Sequence, residues 1–270
     1  MNDKKKIAAA GAVAVVLLAA FFMLHQKSAP PPAPVAAAPV PAPAPTPVPA
    51  PVAAPTPPPA PEIPLPELAQ SDDFLREQAK GLSADPSFAG WLKARHLLSR
   101  LVAGTDLIVA GKIPSDSLGF IAPRRRFTAA RRGGRLVVGP KSFARYDALA
   151  SAFSSIDAKG AATLYQKTEP LFKQACQELG DKTCDYRAAF QRAAGEILQT
   201  PSPAGDLEVR AKPNGLIYTY ADDALERLDP VQKLVLRMGP QNERKVQDKV
   251  RELAAALGIT ADQLPTAPAP

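Results

Sequence analysis

The sequence predicts a mainly α fold: one N-terminal transmembrane helix, a disordered Pro/Ala linker, then a multi-helix globular domain with at most a short β-hairpin. Three observations predict it. An uncharged apolar run from Ile7 to Leu24 follows Lys4, Lys5 and Lys6. A tract rich in proline and alanine extends from Ala29 to Pro66, with Glu62 as its only charge. Beyond Glu67 the composition becomes globular, and apolar residues recur with the three- and four-residue spacing of helices. The predicted organisation is a cytoplasmic N-terminus (1–6), a transmembrane helix (7–24), a linker (25–66), an exported helical domain (67–263) and a disordered tail (264–270).

At about 1.5 Å per residue the apolar run reaches about 27 Å, close to the ~30 Å hydrocarbon core of a bilayer. The lysines before it outweigh Lys27 after it, so the N-terminus is expected in the cytoplasm and the rest outside it. That places the protein in a bacterial inner (plasma) membrane, its domain in the periplasm or extracytoplasmic space. A cleaved secretory signal would need small residues at −3 and −1. Cleavage after Ala29 puts Lys27 at −3 and Pro30 at +1, so an uncleaved signal-anchor is the reading taken. His25 falls at the interfacial end of the span. The proline content of the linker excludes α-helix and favours polyproline II at about 3.1 Å per residue, a spacer on the order of 100 Å. A proline-motif docking site is the sharper alternative, but no basic anchor stands beside the repeats.

Within the domain the elements follow in order. Ser71 stands as N-cap before Asp72 and Asp73, with Phe74, Leu75, Gln78, Ala79 and Leu82 at helical spacing. Asp85-Pro86 starts the next helix, expected to run to Ala110 and to carry His96 beside its apolar stripe. Residues Phe127 to Val138, with Arg131-Arg132-Gly133-Gly134 at their centre, read as a β-hairpin closed by Gly139-Pro140. Phe143, Tyr146, Leu149, Phe153 and Ile156 resume the helical pattern. Asp157 caps a long helix that Pro170 should kink and Gly180 should end. A helix follows from Asp185 to Gln199. Leu207 to Tyr220 contains a few extended residues. Asp222 to Leu228 is a short helix, and Asp229-Pro230 opens another that Gly239-Pro240 ends. Asn242 is expected to cap the last strong helix, with Val246, Val250, Leu253 and Leu257 on one face. Thr260 to Gln263 has capping-box spacing.

Several blocks carry a resemblance. They are Leu65-Pro66-Glu67-Leu68 with Ser71-Asp72, Phe143-Ala144-Arg145-Tyr146-Asp147, Leu164-Tyr165 leading to Glu169-Pro170-Leu171, Glu178-Leu179-Gly180, and Gln232 to Asn242, which contains Leu236-Arg237-Met238-Gly239-Pro240. Together they resemble the bacterial domain of unknown function family 3014, over nearly the whole chain after the linker. The resemblance implies a single-pass membrane protein with a Pro-rich linker and a helical exported domain. It supplies no activity and therefore no catalytic residue. Ala175-Cys176 stands where the family has Ala-Tyr. Arg145, Tyr146 and Arg237 fall at the family's recurrent positions, where buried polar struts and a ligand site explain them equally well.

Residues that could carry chemistry are few. Cys176 and Cys184 could close a loop of about nine residues by a disulfide worth about 2–3 kcal/mol in an oxidising compartment. Their spacing is not that of a redox Cys-x-x-Cys, and without paired histidines they do not make a zinc site. Arg124, Arg125, Arg126, Arg131, Arg132 and Arg135 would gather around the hairpin and could hold anionic lipid or polysaccharide, or serve as a solvated charge run. The chain has two histidines and a formal charge of +7. Its pI of 9.4 would suit nucleic acid, but an exported domain does not meet it. No catalytic, cofactor or metal site is assigned, and no phosphate-binding or nucleophile-elbow motif is present. The expected function is a non-enzymatic scaffold or binding module of the cell envelope, meeting envelope proteins or cell-wall polymer. An envelope enzyme on glycan or lipid is the alternative. A TonB-like energy transducer is weaker, because that type's compact βαβ domain is not visible here.

Overall fold

The computed structural model describes residues 64–181, 183–213 and 217–266. The predicted cytoplasmic segment, the transmembrane run, all but the end of the linker and residues 267–270 of the tail lie outside these. No helix among the described residues is long and apolar enough to cross a membrane.

Among the described residues, eleven α-helices and four strands order the domain. Helix α1 spans Ser71–Ala79, α2 Pro86–Trp91 and α3 Leu97–Val109. A short α4 (Ser115–Leu118) leads to strands β1 (Ala129–Arg132) and β2 (Arg135–Val138). Next come α5 (Pro140–Phe143), α6 (Asp147–Ser154), α7 (Ala158–Glu178) and α8 (Tyr186–Leu198). Strands β3 (Val209–Ala211) and β4 (Tyr218–Tyr220) precede α9 (Asp223–Glu226), α10 (Pro230–Leu236) and α11 (Pro240–Ala256).

Three apolar clusters hold these elements. In the first, Leu98 and Val102 of α3 meet Leu171, Phe172 and Ala175 of α7 and Tyr186 of α8. In the second, Tyr146, Ala150 of α6 and Leu198 of α8 meet Val246 and Val250 of α11. The third joins Val138 and Val209 of the strands to Tyr220 and Leu236. Leu171, Leu198 and Leu236 are fully buried, each stabilising by about 1.5–3 kcal/mol over an exposed side chain.

The hairpin β1–β2 turns at Gly133 and Gly134, both at positive φ, as a two-residue turn matched to strand twist requires. A second hairpin, β3–β4, pairs Val209 with Tyr220 and corrects the expectation of at most one. Its sheet is linked to the first where the Val138 N–H donates to the Leu207 carbonyl (2.8 Å).

Four local expectations are corrected. The single helix from Asp85 to Ala110 is two helices, broken between Trp91 and Leu97. His96 sits exposed at the break in a left-handed conformation (φ 54°). The Asp72 carboxylate accepts from the N–H groups of His96 (2.7 Å) and Leu97 (2.9 Å), satisfying orphan donors of α3 from another helix. Ser71 is not an N-cap: it is buried, and its hydroxyl donates back to Leu68. Asn242 lies inside the first turn of α11, behind Gly239 and Pro240. Leu264, assigned to the disordered tail, packs against the second cluster. Helix α7 runs unbroken through Pro170.

Candidate functional site

The blocks around Arg145 and Arg237, about 90 residues apart in sequence, meet. Gly239, at φ 80° and ψ 160°, reverses the chain between α10 and α11 in a conformation reserved for glycine. A Cβ there would stand 2.5 Å from the Phe143 ring. Just past the turn the Asn242 amide, only 4% exposed, donates to the carbonyls of Phe143 (3.2 Å) and Met238 (3.1 Å) and to Asp147 Oδ1 (2.8 Å). One amide therefore stitches Phe143–Asp147 to Gln232–Asn242. Met238, Gly239 and Pro240 serve this joint, and Leu236 serves the core.

Beside the joint lies a half-open cleft of about 280 Å³. Phe127, Tyr146, Tyr218 and Tyr220 form its aromatic walls, and Arg145 and Arg237 enter from the two stitched blocks. Its described lining holds guanidinium, phenol and hydroxyl groups and no carboxylate. Arg145 is locked: its Nε donates to Ser142 O and one Nη to Arg125 O, both at 3.0 Å. Its guanidinium carbon lies 5.1 Å from the Tyr146 ring centre and 5.6 Å from that of Phe127, within cation–π range. Arg237 follows the last residue of α10, and no ion pair engages it among the described residues. Burial raises Tyr220 to about 12, against the opposing pull of Arg237, and burial likewise raises Tyr146. Both phenols therefore stay neutral near pH 7. Glu226 is held below the usual carboxylate range. Burial works the other way, but the Tyr220 N–H (2.9 Å) and Lys233 (3.1 Å) outweigh it.

A second hollow, of about 80 Å³, lies on another side of Val138 and is lined by Ser202, Asp206, Leu236 and Glu243. Glu243 is 2% exposed, and its Oε1 has no hydrogen-bond partner among the described residues. Burial pushes its carboxyl up to about 7, opposed by Ser202 and Arg244. A third hollow near Tyr165 and Cys184 is larger, but its charges are engaged. Lys173 pairs with Glu169 (2.9 Å), and Arg187 donates to Leu257 and Gly258.

The other predicted residues fall as follows. Arg124, Arg125, Arg126, Arg131, Arg132 and Arg135 are all exposed. Arg132 and Arg135 face each other across β1–β2, and they pair with Asp206 and Glu208 rather than gathering as free charge. The Arg125 carbonyl instead anchors Arg145. A disulfide joins Cys176 and Cys184, with Cα atoms 5.8 Å apart, between the end of α7 and the start of α8. No cluster of metal-ligating side chains exists among the described residues. Reading the sequence missed Phe127, Tyr218, Tyr220 and Glu243. The alternation Tyr218-Thr219-Tyr220 was the one available signal for the strand that bears the cleft wall.

Fold and cleft together define a small helical domain with a cationic, aromatic-walled cleft. Residues 97–254 match the family described as a protein of unknown function, DUF3014. The chain belongs to that family, and the matched span includes both stitched blocks but starts after the Leu65–Asp72 block. No curated protein matches the chain. No solved structure matches it either.

Proposed function

We propose that this protein is a membrane-anchored binding module of the bacterial cell envelope. Its anchor is the 7–24 run, its spacer the Pro/Ala tract and its working part the helical domain. The cleft of Arg145 and Arg237 receives an anionic group from an envelope protein or cell-wall polymer. The observation that carries this is the meeting of two guanidiniums in a cleft whose described lining has no carboxylate. Charges placed so await a counterion from outside. The exported location is supported by the positive N-terminal flank and by the disulfide, which persists in oxidising compartments.

An enzyme acting on glycan or lipid is the second reading. Glu243, raised to about 7, is the group that favours it. Its sealed position outside the cationic cleft ranks this reading second.

The test is in-cell crosslinking of full-length protein, comparing wild type with Arg237→Gln by mass spectrometry of the captured material. A partner captured by wild type and lost in the variant supports the reading. Identical capture by both removes the cleft from the function. Protease accessibility of the domain in intact spheroplasts tests its location.

A further inference from the structure

We infer that the ligand of the cleft is an acidic sugar residue, a pyranose ring carrying a carboxylate; this rests on the binding-module reading above. Three observations lead to it. The first is the wall. The Phe127 and Tyr218 rings stand 5.1 Å apart and tilted, giving a ring-shaped ligand apolar faces against which C–H groups stack. The cleft, about 280 Å³ and half open, suits one such ring rather than a folded chain.

The second is the division of labour between the arginines. Arg145 spends Nε and one Nη on backbone carbonyls and is stacked between Phe127 and Tyr146, so its remaining edge points from a fixed plane. Arg237 has no backbone carbonyl anchor among the hydrogen bonds of the described residues, and its neighbours are the Tyr220 phenol and, more distantly, the Glu226 charge. One fixed and one adjustable fork fit a planar carboxylate presented at a set angle. The Tyr218 phenol and Thr219 hydroxyl line the same cleft and offer both donor and acceptor to sugar hydroxyls.

The third excludes the main competitor, a peptide that adds a strand to β4. On the side toward β3, Lys212 donates to Ile217 O and Ala221 donates to Glu208 O. The outward N–H of Tyr220 is already taken by the Glu226 carboxylate, which Lys233 holds in place. A peptide laid along that edge would have to displace a charge-assisted hydrogen bond, whereas a sugar needs none of the strand's backbone groups.

The experiment is saturation-transfer NMR on the purified full-length protein. The probes are glucuronate, N-acetylmuramate, neutral N-acetylglucosamine, inorganic phosphate and acetyl-dialanine with a free carboxylate. The two acidic sugars are expected to bind at least tenfold more tightly than N-acetylglucosamine, with transfer strongest to their ring protons. Arg237→Gln should cost at least tenfold in their affinity and Arg237→Lys less, since charge remains and the fork is lost. Tyr218→Ser should weaken acidic sugars while leaving phosphate unchanged, and thermal melts confirm that each variant folds. Tighter Arg237-dependent binding of phosphate or the dipeptide overturns the sugar assignment and leaves the anion cleft standing. Binding of every probe that is indifferent to Arg237→Gln, or no binding at all, overturns both.

Discussion

Val138 touches two hollows of opposite character. On one side the cleft holds Arg145 and Arg237, half-buried and open to solvent; on the other the small hollow holds Glu243, sealed and with one oxygen unpartnered. The difference shows how exposure decides what a charge does. The guanidiniums stand where solvent and aromatic faces reach them. The Glu243 carboxyl is cut off from solvent, and burial makes it hold its proton to near pH 7 instead of presenting a charge. The same turn, Gly239-Pro240, positions both: Arg237 lies two residues before it and Glu243 three after Pro240.

The substitution that breaks both sides at once is Gly239→Ala. The backbone conformation and the overlap with Phe143 together should destabilise the domain by about 3–4 kcal/mol, read by denaturant unfolding. Glu243 should break only its own side. Its pKa is raised on folding, so the unfolded chain ionises first and the native state keeps its proton. Stability should therefore fall by up to about 3 kcal/mol as pH rises from about 4.5 to about 7, and then level off. Glu243→Gln should flatten that decline. It should raise the melting temperature at pH 8 and change it little at pH 4.5, where the native carboxyl is already neutral. The Cys176→Ser/Cys184→Ser variant should be less stable than the bridged protein by about 2–3 kcal/mol through loop entropy, with cleft binding unchanged, because the bridge belongs to the first apolar cluster. Arg237→Gln should change stability by less than about 0.5 kcal/mol while weakening the proposed anion binding at least tenfold. A large loss of stability instead would make Arg237 a structural strut and erase the contrast with Glu243.

Helix spacing and capping acids made most of the fold legible in the sequence. Asp85, Asp157, Asp185, Asp222 and Asp229 all accept from the first turns of the helices they precede. The Gly133-Gly134 turn announced its hairpin. What escaped was set at a distance. No proline or glycine marks the break before Leu97, because the group that stabilises it is Asp72 from another helix. Asn242 looks like a cap in sequence, yet its amide is turned to Phe143 and Asp147 nearly a hundred residues away. Strands β3 and β4 have three residues each, too few for alternation to stand out. The family resemblance flagged Arg145, Tyr146 and Arg237, but nothing local showed that they face one cleft. That depends on where Gly239 sends the chain.

The clamp made by Asp72 also determines how the domain would answer tension. Any pull arriving at Pro64 meets Leu65 and Leu68 first, both packed on the first cluster, and then the two hydrogen bonds that the Asp72 carboxylate accepts from the start of α3. Arg76, donating to the Leu92 carbonyl (2.9 Å), and the buried Leu75 hold the same helix. The first helix therefore stands between the linker and the rest of the domain, and a load entering from the linker would reach it before the cleft.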